Sequence, residues 1–423
     1  MIGILGAGVS GLSLSCFLRS EHEVIEASKH PGGLCRTYWE KGFGFDVGGH
    51  ILFSKHSHVN QFVEEALAGN LRTVRRENRV LFRDRLVKYP FENDLAALPV
   101  EDRYECLMGY LRAPGGAASN LEEWCRVTFG DGISDRYLVP YNEKIWKRPA
   151  REIGTAWVER IPKPPLEDVV RSALGIATEG HTHQLYFRYP EGGGFEALTQ
   201  AIRARARGPV LTGLPVTSIR RDGAGFAVTC GEERRSYEEL VVTFSMHEAA
   251  RAIGSVPSEV EAALASLGHN VLRVVCVGLS HDRVPRLSAI YVPDPSVLAH
   301  RICFPAFFSP SMAPEGRSSL LAEITCRPGS ELDQVPDGEL VDRVIRDLER
   351  LGLASSRDVV MSKTLRFERA YPVYDLDYVR NVTLARDWFG SLGIHLLGRF
   401  AEFDYINSDE CIHRAMALAR LLG

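Results

Sequence analysis

At 423 residues the chain is too long for one ordinary hydrophobic core, which predicts two or three subdomains. Its 45% hydrophobic and 25% charged content excludes disorder, and a formal net charge of -4 excludes the broad basic field of a nucleic-acid binder. Nine cysteines without a CxxC pair exclude a disulfide framework and read as reduced, mostly buried thiols of a cytoplasmic protein; no metal site is expected.

Residues 1–18 are apolar, but they lack a positive leader, and Arg19, Glu21, His22 and Glu23 cut the run below spanning length. Neither a targeting segment nor a membrane span is expected. Residues 2–5 read as a strand, Gly6-Ala7-Gly8-Val9-Ser10-Gly11 as a turn into a helix ending near Arg19, and 23–26 as the next strand. In this βαβ context Gly6 permits the tight turn, Gly8 lets the backbone approach a pyrophosphate, and Gly11 allows close helix–strand packing. The helix N-terminus offers N–H groups and a positive dipole end to phosphates. Glu26, twenty positions after Gly6, is placed to accept from ribose hydroxyls.

A mixed segment follows, with Gly48-Gly49-His50 and Lys88-Tyr89-Pro90-Phe91. From 99 to 174 the pattern is helical, broken at 113–116 and 162–165. Residues 210–228 and 240–244 read as strands with a turn at Asp222-Gly223. The apolar runs 271–279, 289–292 and 320–324 predict a second sheet, followed by a helix with Leu340, Val344, Ile345, Leu348 and Leu351 on one face. Residues 395–398 form a late strand, and 408–422 a closing helix with Ser408 as N-cap.

The run Glu26-Ala27-Ser28-Lys29-His30-Pro31-Gly32-Gly33-Leu34-Cys35-Arg36-Thr37 resembles the extended FAD fingerprint of the amine-oxidase and phytoene-desaturase superfamily. That resemblance names FAD as the cofactor. It implies that Gly32, Gly33 and Arg36 approach the pyrophosphate and ribityl chain, that Val216 meets the adenine through its backbone, and that Gly398-Arg399 return to the flavin. The expected fold class is α/β: a discontinuous Rossmann-like FAD-binding domain (1–75, 185–250 and 385–423), an inserted helical segment (76–184), and an antiparallel β-sheet substrate region (251–384).

Gly48-Gly49-His50-Ile51-Leu52-Phe53-Ser54 is similar to the histidine loop of UDP-galactopyranose mutases, especially the eukaryotic type. Similar segments keep that family's order along the whole chain: Tyr89-Pro90-Phe91, Pro140-Tyr141-Asn142-Glu143-Lys144-Ile145-Trp146, Glu159-Arg160-Ile161-Pro162, Arg188-Tyr189-Pro190-Glu191-Gly192-Gly193-Gly194, Ala370-Tyr371-Pro372-Val373 and Leu397-Gly398-Arg399-Phe400-Ala401-Glu402. The resemblance implies interconversion of UDP-galactopyranose and UDP-galactofuranose, as in cell-surface polysaccharide synthesis. In that family reduced flavin attacks the anomeric carbon through N5, UDP departs, and the ring opens and recloses. A UDP-sugar and an electron donor, NAD(P)H or a reductase, are the implied partners, with a homo-oligomer left open.

By the same resemblance Arg160 and Arg301 grip the diphosphate, as paired guanidinium donors do best. His50, with Gly48 and Gly49, passes near the flavin N5, and Arg399 stabilises the anionic reduced ring. Tyr291, Tyr371 and Tyr405 reach the phosphates, while Tyr89, Tyr137, Tyr141, Asn142 and Trp146 cradle the uridine. Glu92 and Gln184 stand where eukaryotic members carry Gln and Asn, which leaves base and sugar open. Ordinary roles compete throughout: surface ion pairs for the arginines, core packing for the tyrosines and Trp146. The competing activity is an FAD oxidoreductase taking hydride from an amine or apolar substrate, and a non-catalytic flavin binder is a third reading.

Overall fold

The computed structural model describes residues 1–161, 163–179 and 185–423, so Pro162 and Gln184 lie outside the described residues. Ile2–Leu5 and His22–Glu26 pair in parallel across the opening helix Val9–Phe17, as the βαβ reading requires. They sit centrally in a five-stranded parallel sheet ordered Ile394–Leu396, Glu239–Val242, Ile2–Leu5, His22–Glu26, Val210–Thr212. Chain segments separated by nearly two hundred residues thus share one sheet. One face of this sheet packs on the opening helix, where Gly11 stands against Ile4; the other meets the strand Glu233–Tyr237, whose Tyr237 ring lies over Gly3 and whose hydroxyl donates to Glu23 at 2.6 Å. A three-stranded antiparallel sheet, Val216–Asp222, Gly225–Cys230 and Glu233–Tyr237, lies between two of its strands in sequence.

The second sheet has seven strands, ordered Val359–Pro372, His269–Leu279, Ser318–Cys326, Arg301–Cys303, Ala289–Tyr291, Asn78–Phe82, Arg85–Lys88. It departs from the expected antiparallel sheet at one joint, where Ala289–Tyr291 runs parallel to Asn78–Phe82. Residues 78–88, grouped by sequence with the helical segment, are therefore sheet strands. The helical stretch itself contains Val100–Arg112, Leu121–Ile133, Val139–Trp146 and Leu166–Ala173.

Side-chain alternation divides the large sheet between two cores. Val271, Val275, Val277, Leu320, Ala322 and Ile324 pack with Leu340, Val344 and Leu348 of the helix Asp337–Arg350. Leu272, Val274, Cys276, Tyr291, Cys303 and Leu321 face the core shared with the parallel sheet. Positions of the second parity, including Glu323, therefore look toward the dinucleotide-binding half.

The closing helix Ser408–Leu422 packs on the opening helix, but its N-cap is Asn407 rather than Ser408. Ser408 is already helical, and the Asn407 side chain is turned to Arg160 instead of to the helix backbone. All nine cysteines are free; Cys35 is partly exposed and the others are buried. Among the described residues no helix is long and apolar enough to cross a membrane.

Candidate functional site

The glycine turn and the Gly32-Gly33 pair meet in space. Gly8 forms a parallel bridge with Gly32, and the Gly32 N–H donates to the Ala7 carbonyl at 2.8 Å. A Cβ on Gly33 would stand 3.4 Å from Gly8 Cα, and one on Gly11 would stand 2.0 Å from the Gly6 carbonyl oxygen. The first contact leaves bare backbone of the kind a pyrophosphate needs for close approach; the second shows that only glycine lets this helix seat on its strand. Glu26 ends its strand with Oε2 accepting from Ala7 N at 2.7 Å and Oε1 from Ser28 N at 2.9 Å. The Leu214 and Gly213 N–H groups donate to Glu26 and Ser28 carbonyls, which brings the turn before Val216 beside the same strand end. Gly398 abuts the opening helix, where a Cβ would meet Ser10 Oγ at 2.1 Å. The Arg36 guanidinium stacks over Tyr38 at 5.2 Å.

Facing this cradle is one wall of the large sheet. Arg301 donates through Nε and Nη2 to the two oxygens of Glu323, both at 2.6 Å, and Glu323 Oε1 also accepts from the Gly49 N–H at 3.0 Å. Gly48 lies so close that a Cβ would stand 3.0 Å from Glu323 Oε2. Glu323 thus ties the Gly48-Gly49-His50 loop to Arg301. Burial alone would lower the Arg301 pKa, but the Glu323 carboxylate holds it well above the ordinary value. The His50 ring stacks on Phe195 at 5.1 Å. Burial, then the charges of Arg399 and Arg301, push its pKa down to about 3, so the imidazole is neutral at physiological pH.

Tyrosines connect the remaining candidates. Arg160 and Arg399 both lie over the Tyr405 ring, at 4.5 and 4.3 Å, and Tyr371 follows at 5.5 Å from Tyr405. Arg399 also donates to the Ala370 carbonyl at 2.5 Å. Trp146 stands edge-on to Tyr371 and Tyr405. A second aromatic run passes from Tyr89 to Tyr291, Tyr141, Tyr137 and Phe91, with neighbouring centroids 4.9 to 5.4 Å apart. Burial raises the hydroxyl pKa of Tyr89, Tyr137, Tyr141 and Tyr371, so each remains a hydrogen-bond donor.

Some expected residues stand apart. Arg160 is exposed, its Nη2 donating to Asn407 Oδ1 at 3.1 Å. Asn142 is buried, but its amide donates to the Leu138 carbonyl of the preceding turn at 2.8 Å. Glu92 is buried behind the second aromatic run, and burial raises its pKa to about 7.

Three residues escaped the sequence reading. Arg76, half-buried, donates through Nη2 to the Tyr291 hydroxyl at 3.0 Å and lies near enough to Arg301 for the two charges to oppose one another. A cleft of mixed charge opens beside it, lined by Arg75, Arg76, Arg79 and Lys88 together with Glu77 and Glu179. Nothing in Arg75-Arg76-Glu77 distinguishes Arg76 from a surface cation. Glu323 did carry a signal, as a lone charge inside the apolar run Leu320–Ile324. Lys144 donates to the carbonyls of Val292, Asp294 and Ala299 at 2.7 to 2.8 Å, fixing the connection between the Tyr291 and Arg301 strands.

The residues fit a flavin dinucleotide. Besides the glycine cradle, His50 Nδ1, Arg399 Nε and Trp146 Nε1 are buried without a partner among the described residues, and such polar atoms suit an acceptor-rich ligand.

Comparison with known proteins agrees. The fold superposes on reduced UDP-galactopyranose mutase with a TM-score of 0.89 and 25% identity, over 99% of this chain and 94% of that one. It matches a candidate protoporphyrinogen oxidase from Exiguobacterium with a TM-score of 0.79 and 18% identity, over 100% and 98% of the two chains. In sequence it is 32% identical to all-trans-retinol 13,14-reductase of Danio rerio over 115 residues, 26% of this chain and 17% of that protein. The chain spans under a fifth of the length of the curated relatives it matches. Residues 21–388 match the flavin-containing amine oxidoreductases. With the glycine cradle, the strand-end glutamate and the fold all in agreement, this chain belongs to the flavin-containing amine oxidoreductase family and takes FAD as its cofactor.

Proposed function

We propose that the chain isomerises the sugar ring of a nucleotide-diphosphate hexose, UDP-galactopyranose to UDP-galactofuranose, with no net redox change. The observation that carries this reading is the charge at the tyrosine wall, where two half-buried guanidinium groups converge on Tyr291: Arg76 donates to its hydroxyl, and Arg301 is its cross-strand neighbour. Two guanidinium groups side by side offer paired donors to the oxygens of a diphosphate and disfavour a cationic amine. FAD, when bound and reduced, supplies an electron-rich centre for attack on the anomeric carbon.

The protein's part is to bind, orient and neutralise. Arg301 and Arg76 take the diphosphate oxygens as charge accumulates on the leaving group, with Arg160 meeting them from the exposed edge. The hydroxyls of Tyr291, Tyr371 and Tyr405 donate to the same oxygens. Tyr89 and Tyr141 offer faces for the base, and neutral His50 adds no cation beside the reacting carbon. The structural likeness to UDP-galactopyranose mutase over nearly the whole chain supports the same reading. An electron donor, NAD(P)H or a reductase, is the partner this cycle needs to prime the cofactor.

The test is incubation of the dithionite-reduced, FAD-loaded protein with UDP-galactopyranose. Furanose product formed without an electron acceptor is expected. A protein that forms none, yet bleaches its flavin with an amine or apolar substrate and then consumes oxygen, is instead an ordinary oxidoreductase of its family.

A further inference from the structure

Three histidines gather away from the residues assigned to the cofactor and the sugar nucleotide. His56 and His58 flank Ser57, where the chain leaves the His50 loop and enters the helix Ser57–Leu67; His413 lies in the second turn of the closing helix. His58 Nε2 and His413 Nδ1 are 2.9 Å apart. The rings of His56 and His413 stack at 3.8 Å with planes 4° apart, and one nitrogen from each of the three lies within 4.8 Å of the others. Glu410 stands one turn before His413. Its Oε2 is 3.3 Å from His56 Nε2, and its Oε1 accepts from Arg414 Nε at 3.1 Å.

We propose that His56, His58 and His413 form a binding site for a divalent transition-metal cation of the zinc class, with Glu410 orienting His56. Imidazole nitrogens bind zinc at about 2.0 to 2.1 Å, which sets ligands roughly 3.4 Å apart around a tetrahedron. The His58–His413 pair, at 2.9 Å, needs to open by only about half an ångström to reach it. The other contacts close by side-chain rotation, with His56 leaving its stack on His413 and water completing the shell. A carboxylate on the outer nitrogen of a ligating histidine fixes its tautomer and raises its basicity, which is the relation of Glu410 to His56. The choice of imidazole over thiolate or all-oxygen ligands favours zinc, nickel or copper over magnesium or calcium.

Such an ion would join the start of Ser57–Leu67 to the closing helix, whose own cap, Asn407, holds Arg160.

The test uses tag-free, FAD-loaded protein stripped with EDTA. Titration with Zn²⁺ by calorimetry is expected to give one ion per chain, with a rise in unfolding temperature. His58→Gln and His413→Ala should each weaken binding by about a hundredfold or more, and Glu410→Gln by about tenfold. The flavin spectrum and the metal-free unfolding temperature check that each variant is folded. Co²⁺ should give the visible absorption of a four-coordinate site in the parent protein and lose it in His58→Gln, whose exposed position spares the core. Absence of saturable Zn²⁺ binding by the parent, or binding unchanged in both histidine variants, overturns the proposal.

Discussion

Glu323 illustrates how a single side chain organises the site. It is fully buried, yet it takes two hydrogen bonds from Arg301 and one from Gly49, so its charge is compensated where desolvation would otherwise be costly. The pairing also leaves Arg301 pre-oriented toward the aromatic wall. On the proposed reading, Arg301→Ala or Arg160→Ala lowers sugar-nucleotide turnover about a hundredfold, near 3 kcal/mol of transition-state stabilisation, while FAD content is retained. Steady-state kinetics with flavin absorbance measures both quantities. Near-normal turnover in both variants removes the diphosphate assignment.

Glu92 makes a prediction in pH. Burial raises its folded pKa to about 7 from an ordinary 4.5, so the folded state keeps a proton that the unfolded chain releases. Below pH 4.5 both states are protonated and burial carries no ionic penalty. Stability is then lost as pH rises from 4.5 toward 7 and levels off above. Glu92→Gln should therefore be more stable than the parent at pH 8, by up to about 3 kcal/mol, with the gain vanishing near pH 4. Urea melts of both proteins across that range decide it, and a gain independent of pH contradicts the burial argument.

Among the elements, the opening strand, turn and helix were the most legible. Their signals are local: apolar residues at 2–5, glycines at 6, 8 and 11, and an acidic strand end at 26. The packing of Gly11 on the Gly6 carbonyl leaves no room for a methyl group. Gly11→Ala should push the helix off its strand, cost about 1 to 3 kcal/mol, and weaken FAD retention during gel filtration. Full FAD content at an unchanged unfolding temperature would show that the helix can shift without penalty. The short strand Arg301–Cys303 and the long strand Val359–Pro372 were illegible for opposite reasons. Three residues carry no periodicity, and Val359–Pro372 is interrupted by Lys363, Arg366, Glu368 and Arg369, so no apolar run marks it.

Across the whole molecule, segments near 6–11, 26–33, 213–216 and 398 meet at one place, and if they form the FAD cradle as proposed, binding is coupled to the docking of segments distant in sequence. Removing FAD should accordingly lower the unfolding temperature of the entire chain. Restoring FAD to a hundred times its dissociation constant should return about 2.7 kcal/mol, and a thermal melt with and without added FAD measures it. Melting that ignores FAD would mean that the cradle forms independently of the rest.

The sequence alone determined the α/β class and the opening strand–turn–helix unit, because strand and helix periods and glycine conformations are written in neighbouring residues, and its family resemblance named FAD. Tertiary structure decided which charges meet. Arg301 finds Glu323 through the pairing of Arg301–Cys303 with Ser318–Cys326, Arg76 reaches Tyr291 across 215 positions, and His58 reaches His413 across 355. Such contacts leave no mark in local spacing, since they arise only when folding brings separate segments to the same sheet face or helix end.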